Sequence, residues 1–480
     1  MKYYEQFISK KDVERIHENV VRIFENVGVV FENQRALDTF KEHGARVEGN
    51  KVFIPRNMLE EAVKTAPETF QIHANTVGDA TLGGGSMLAG GIGGNIYIQD
   101  GGRVRKMTNR DVVDQFKLNE TSPVTQYGLV NPFMETTGFS SDQKIYGRMA
   151  FALKYSSKYR FSVNCITDGV EADQVYDKVK KGIQLVRDFE GIQDKPVIME
   201  GINPLSPLAF DNAPIEKLYA NCHEGQALWF TPCSMPLLTG PPSVAGLLST
   251  TTAEALAGLV LAQLVRPGTP VVFGNTSAST NMRTIQLCIG SPEATLIAYA
   301  TAAMADFYKL PFRNGGALSD AKDVDFQAGA ESMMLLQATL ASKPDYILHM
   351  CGVLGTFNIV SFEKFLLDEE IIAMVQRQLA GITVDDNTLS YDMIEKVGAR
   401  GNYLQGRTPK MFRQEYQMAK LFNKEDPNQW QKEGSISVRE NAREKVMDRL
   451  ESYQAPTLEK EQLELIEKYI PAAFKDSIKF

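Results

Sequence analysis

Residues 311–332, PFRNGGALSDAKDVDFQAGAES, join a short apolar run to a glycine pair, a cluster of polar groups and the start of a helical pattern. The apolar spacing of GSPEATLIAYATAAMADFYKL before it and of VDFQAGAESMMLLQATLASKPD after it is helical, so the stretch reads as a strand end, a loop and a helix start. Gly315 and Gly316 open backbone conformations closed to other residues, and Ser319, Asp320 or Asp323 is suited to cap the next helix. The loop serves either a ligand or simple turn and cap chemistry. Working outward, the same order recurs at VTQYGLV (124–130), RFSVNCI (160–166), PVIMEGI (196–202), ALWFTPC (227–233), PVVFGN (270–275) and YILHMCG (346–352), each followed by a helical pattern. Repeated strand-then-helix order marks a parallel sheet covered by helices. These seven strands, with an eighth assigned to NIYIQD (95–100), predict an α/β fold of the (β/α)8 TIM-barrel type.

The barrel is expected over residues 107–385. Residues 1–106 read as an N-terminal helical cap with a glycine-rich β segment, in which the glycines around NIYIQDG suggest a hairpin or a loop lying over other structure, and 386–480 as a C-terminal helical extension with a charged face suited to solvent or oligomer packing. The 480 residues, 43% hydrophobic and 23% charged, are enough for a large core. A formal charge of -8 without a basic, aromatic-interleaved run argues against nucleic acid. VAGLLSTTTAEALAGLVLAQLV is broken by Thr, Glu and Gln and reads as a buried helix, so no membrane partner is expected. The charged start carries no apolar signal core, and five scattered cysteines make no disulfide framework, which together predict a cytoplasmic protein. There is no GxxxxGK[ST] or GxGxxG loop, and HEGQA at 223–227 lacks the second histidine of a zinc helix; no CxxC occurs either, so no metal is expected.

Several long stretches carry a resemblance: 17–75, SPLAFDNAPIEKL (206–218), TTAEALAGLVLAQLVRPGTPVVFGN (251–275), GSPEA (290–294) and YKLPFRNGGALSDAKDVDFQAGAES (308–332). In this order, across roughly 12–420, the chain resembles the trimethylamine methyltransferase family, whose members move methyl groups from methylated amines to a corrinoid protein. Members acting on trimethylamine carry pyrrolysine, whereas this chain uses only the ordinary twenty residues and so resembles the pyrrolysine-free branch. The resemblance implies the barrel fold and transfer of a methyl group from a quaternary amine to the Co(I) corrinoid of a separate corrinoid protein. Glycine betaine is the first substrate expected, followed by proline betaine, carnitine and γ-butyrobetaine. None of the five histidines follows an aspartate by two residues, so the DxHxxG pattern of corrinoid-holding proteins is missing and the cobalamin is expected on the partner. A homo-oligomer is also expected.

Displacement at a quaternary ammonium releases a neutral amine, so no acid is needed and the enzyme mainly positions. It needs aromatic faces for the cation and hydrogen-bond donors for a carboxylate. In a barrel these lie at strand C-termini or in the loops that follow. The candidates are Phe133, Glu200, Asn275, Arg313, Asn314, His349 and Phe357, with Asn131, Asn203 and Cys351 beside them and Tyr97 closing the pocket from above. Tyr97, Phe357 and Phe133 are assigned to the ammonium, and Arg313 and His349 to the carboxylate. The plainer alternatives are packing for the phenylalanines, a core histidine at 349, and an Arg313 paired with Asp320 or Asp323 to hold its loop. No catalytic role is assigned. A lyase or aldolase of the same architecture would need a metal or a lysine at a strand end, and no marked strand ends in lysine; a non-enzymatic betaine-binding protein is the other alternative.

Overall fold

The computed structural model describes residues 2–404 and 406–475. Its centre is a parallel sheet of six strands: β1 (Leu88–Ala89), β2 (Met199–Gly201), β3 (Ala227–Phe230), β4 (Val271–Gly274), β5 (Phe312–Gly315) and β6 (Tyr346–Leu348). The hydrogen-bonded order is β1-β6-β5-β4-β3-β2, and Leu228 faces Glu200 on one side and Val271 on the other. β3, β4 and β6 read as mainly apolar runs because both faces are buried, one inside the curl and one under helices, while β2 and β5 carry the buried polar residues Glu200, Arg313 and Asn314.

The sheet curls, and backbone pairing continues beyond its edges. The Gln126 N–H donates to the Ala89 carbonyl at 2.7 Å, the Gly128 N–H to Tyr159 at 2.9 Å, and the Met199 N–H to Phe161 at 2.8 Å. Of the strands expected at 124–130 and 160–166, only the isolated parallel bridge between Tyr127 and Tyr159, the residue just before the second, remains. Side chains satisfy the backbone where a ladder would have done so. Gln126 Oε1 accepts the Ala89 N–H, and Lys158 Nζ donates to the carbonyls of Asn119, Ser122 and Thr125.

The strand expected at 95–100 lies elsewhere. Tyr97–Asp100 turns back on Arg103–Lys106 through Gly101 and Gly102, with φ of 59° and 88°, the left-handed pair that a tight hairpin requires. The same strand pairs with Ile359–Val360, outside the parallel sheet. Its place at the sheet edge is taken by Leu88–Ala89, which lies before residue 107 and is too short to show a period.

Three helices precede the sheet, α1 (Lys10–Asn26), α2 (Gln34–Glu42) and α3 (Arg56–Thr65), and others follow its strands: α4 (Asn109–Thr121), α5 (Ser141–Tyr155), α6 (Ala172–Glu190), α7 (Asn212–His223), α8 (Val244–Val265), α9 (Pro292–Tyr308), α10 (Phe326–Ser342) and α11 (Phe362–Leu379). Ser243, Ser291, Asp325 and Ser361 cap α8 to α11 by accepting a first-turn amide. The cap of α10 is therefore Asp325. Asp320 instead accepts the N–H groups of Ile289 and Gly290, Ser319 donates to Glu331, and Asp323 takes Gln99 and Arg439. The polar groups of 311–332 tie neighbouring loops together.

Among the described residues α8 is the one helix long and apolar enough to cross a membrane, and 83% of its apolar window is buried. It is apolar all round because three N-terminal helices, Lys10–Asn26, Gln34–Glu42 and Arg56–Thr65, cover the side away from the sheet. Within α8, the fully buried Glu254 accepts hydrogen bonds from Ser206 Oγ and the Leu208 N–H, both at 2.8 Å. Burial pushes its carboxyl up to about 7. A carboxyl raised on folding is stabilising while protonated, so its contribution is complete below the unfolded value and is lost as pH rises through 7. Stability is expected to fall by roughly 3 kcal/mol from this group between pH 4.5 and 7.5. Glu254→Gln should flatten that slope, as checked by denaturant midpoints of both proteins across this range.

The C-terminal segment packs outside the helices, with Val438–Glu451 against α11 and α4 and Lys460–Ile466 against α6 and α5.

Candidate active site

A cavity of about 240 Å³ opens at the C-terminal ends of β1, β2, β3 and β6. That is smaller than the roughly 300–1,000 Å³ of pockets for drug-sized ligands. Its walls come from Gly93 and Gly94 after β1, Leu129, Val130 and Pro132, Ser162 and Asn164–Asp168, Glu200, Gly201 and Asn203 on and after β2, Trp229 of β3, Tyr346 and Leu348 of β6, and His349 just beyond it. Two cations reach it from helices, Arg148 of α5 and Lys217 of α7.

The aromatic wall is an extension of the sheet interior. Trp229 and Tyr346 lie 6.0 Å apart, and Tyr127 and Phe161 continue the cluster beneath, at 5.3 and 5.9 Å from Tyr346. Gly201 makes room for the indole, since a Cβ there would stand 2.5 Å from the Trp229 ring. Glu200 is buried; burial raises its carboxyl above the usual range, and the charges of Lys217 and Arg148 oppose the rise. Burial lowers the Arg148 guanidinium, which donates to the Asn164 carbonyl at 3.4 Å.

His349 follows β6 with a left-handed φ of 62°. Its Nδ1 accepts the Gly93 N–H at 3.3 Å, which leaves the ring proton on Nε2. Burial, with the charge of Arg313, pushes its pKa down to about 3, so the ring is neutral and a single donor. Phe357, also left-handed with φ of 70°, lies 4.9 Å from this imidazole. Two non-glycine residues in that region are strained, a feature that clusters at ligand sites.

Arg313 of β5 is 1% exposed, and its Nε and Nη1 have no hydrogen-bond partner. Its guanidinium carbon is 6.0 Å from the Trp229 ring. Its electrostatic neighbours are Tyr346, Tyr127 and Cys233, so neither Asp320 nor Asp323 is its counterion. A buried cation without an anion is costly and marks a place where a ligand anion is stabilising.

Of the residues singled out in the sequence, Glu200 and His349 line the cavity, Arg313 lies behind its wall beside Trp229, and Phe357 packs against His349. Asn203 also lines the cavity. The others are engaged elsewhere. Tyr97 packs on Ala321, Ala328, Leu354 and Ile359, and Phe133 stacks on Phe474 at 4.1 Å. Asn275 donates to Thr251 Oγ1 and accepts from the Ser277 N–H, Asn314 donates to the Ala298 carbonyl, and Asn131 donates to the Asn95 carbonyl. Cys351 is buried with its thiol pushed up. Trp229, Tyr346, Arg148 and Lys217 were not foreseen. The first two carry a signal, being aromatic residues on strands whose alternate side chains point inward; the helix-borne cations carry none.

Compared with known families, residues 3–476 match the one described as Trimethylamine methyltransferase (MTTB). The chain is 35% identical over 477 residues to the proline betaine:corrinoid methyltransferase of Eubacterium limosum, covering 98% of each. It is 35% identical over 482 residues to the L-carnitine:corrinoid methyltransferase of the same organism, again covering 98% of each. The glycine betaine methyltransferase of Desulfitobacterium hafniense (strain Y51) is 35% identical over 459 residues, 95% of this chain and 94% of the relative.

Proposed function

Because the chain belongs to the trimethylamine methyltransferase family, we propose that it transfers a methyl group from a carboxylated quaternary amine to the Co(I) corrinoid of a separate corrinoid protein. The names of its relatives support the reaction class, and the unpartnered Arg313 carries the choice of substrate. Arg148 and Lys217 balance Glu200 and Asp168 in the cavity lining, and Arg313, buried beside Trp229, adds one positive charge behind that wall. That surplus favours a zwitterion over a bare cation. The ammonium group lies against Trp229 and Tyr346, with Glu200 nearby, and the carboxylate reaches toward Arg313 and the Nε2–H of His349. Glycine betaine, proline betaine, carnitine and γ-butyrobetaine all fit this description.

The corrinoid, when its carrier is bound, supplies the nucleophile. The chain holds the substrate so that one methyl faces the mouth, and alignment removes much of the barrier. The C–N bond breaks with its electron pair left on nitrogen, so the amine departs neutral and no residue has to supply a proton. The scaffold for this is a closed (β/α)8 barrel in which 126–128 and 159–161 occupy the two positions between β1 and β2. The bonds Gln126–Ala89, Gly128–Tyr159 and Met199–Phe161 support closure. Residues 107–385 hold most of that barrel, flanked by an N-terminal cap and a C-terminal extension.

Incubation with glycine betaine and free Co(I) cobalamin is expected to yield dimethylglycine, with little turnover of trimethylamine. Trp229→Leu should weaken substrate binding by about 0.5–2 kcal/mol in calorimetry, while Tyr97→Leu, remote from the cavity, should leave it unchanged. Substrate binding without product from any of the four amines would support the betaine-binding alternative. Elimination or retro-aldol products would support a lyase.

A further inference from the structure

Three loops follow β2, β3 and β4 at the same end of the sheet as the cavity. Residues 202–208 and 231–243 contain no Asp, Glu, Lys or Arg, and 275–291 contain only Arg283, in a chain that is 23% charged. Their tips expose Leu205, Leu237, Leu238, Met282 and Ile285, each 44–59% accessible. Leu237 and Ile285 hold φ of 69° and 53°, a region that costs energy for side chains of this bulk. The loops after β3 and β4 are also fixed to one another. Ser234 N–H donates to Ser277 Oγ at 2.8 Å, Thr276 N–H to the Pro232 carbonyl at 2.9 Å, and Thr280 Oγ1 to the Pro236 carbonyl at 3.0 Å. A rigid, nearly uncharged rim with protruding Leu, Ile and Met has the composition of the centre of a protein interface, where charge is depleted and methionine enriched.

We infer that this rim is the docking surface of the corrinoid protein. The inference rests on the proposed reaction, which fixes the occupant: a cobalt carried by another protein must be brought to the mouth of the cavity, and these loops stand at that end. Docking there seats the carrier on apolar contacts and leaves Trp229 and Glu200 below it to hold the substrate.

The test compares two acceptors for the unmodified enzyme and for Leu238→Asp/Met282→Asp: free Co(I) cobalamin, and the Co(I) corrinoid protein of the organism that makes this chain. The variant is expected to raise KM for the corrinoid protein roughly tenfold or more, with the rate on free cobalamin and the KM for glycine betaine unchanged. An unchanged KM for the corrinoid protein would overturn the assignment. So would an equal loss on both acceptors, or a change in sedimentation of the enzyme alone, which would make the rim a contact between copies of this chain. If the unmodified enzyme methylates neither acceptor, it is the methyltransferase reading that falls, and this inference with it.

Discussion

Arg313→Met is expected to give a protein that melts at a higher temperature and has lost its use of carboxylated amines. The guanidinium is enclosed, its Nε and Nη1 have no partner, and burial lowers its pKa. An apolar side chain of similar volume removes the cost of that charge, a change worth about 1–4 kcal/mol in favour of the folded state. The same change deletes the proposed anchor for a substrate carboxylate, and loss of a buried charged contact costs about 2–5 kcal/mol of binding. Glycine betaine should therefore lose between about 30- and several-thousand-fold in kcat/KM. Choline, which lacks the carboxylate, should change little in affinity. Calorimetric melting and steady-state kinetics on the two amines check both halves. A variant with lower stability and unaltered kinetics would show that Arg313 is a structural group of the sheet interior.

Lys364→Met is expected to have the opposite sign. Lys364 and Asp368 on α11 are both buried, and the ammonium donates to both Asp368 oxygens at 2.7 and 2.9 Å, to Ser332 Oγ at 2.7 Å and to the Ala317 carbonyl at 3.1 Å. Asp368 also accepts the Gly352 N–H, which anchors the turn after β6 three residues beyond His349. Breaking such a pair from one side strands the other charge, at a cost of about 3–5 kcal/mol. Replacing both, as Lys364→Met/Asp368→Leu, should recover part of that loss because no isolated charge remains. Denaturant midpoints for the single and double variants test the sign, and a double variant less stable than the single would refute it.

What the sequence made legible follows from how each feature is encoded. β3, β4 and β6 were readable because strands buried on both faces are mainly apolar runs, and β5 because it stands between two helical patterns. Leu88–Ala89 was not, since two residues show no period, and the alternating run at 95–100 drew the assignment to a hairpin held together by Gly101 and Gly102. Glu200 and His349, which line the cavity, were reachable from the rule that sites in parallel α/β folds sit at the C-terminal ends of strands. Asn275 and Asn314 obey the same rule but bond to their own scaffold, a difference that only three-dimensional contacts reveal. Trp229 and Tyr346 passed as ordinary strand residues, and Arg148 and Lys217 sit on helices rather than at strand ends. The polar loop at 311–332 drew attention as a ligand loop, yet its acids serve Gly290, Gln99, Arg439 and the start of α10.

The uneven pairing of the sheet bears on how substrate choice can diverge. The cavity walls at 129–132 and 162–168 continue the two segments joined by a lone bridge, whereas Trp229, Tyr346 and Arg313 stand on laddered strands. A wall held by side chains such as Gln126 and Lys158 can be reshaped one substitution at a time, because a shift there has no long ladder to carry it into the rest of the sheet. A change of register in β3 or β6 would displace every inward residue at once. Under the proposed binding mode, mutational drift in this architecture therefore has an inexpensive direction: new substituents on the ligand can be accommodated on the bridged side while Trp229, Tyr346 and Arg313 on the laddered side are inherited intact.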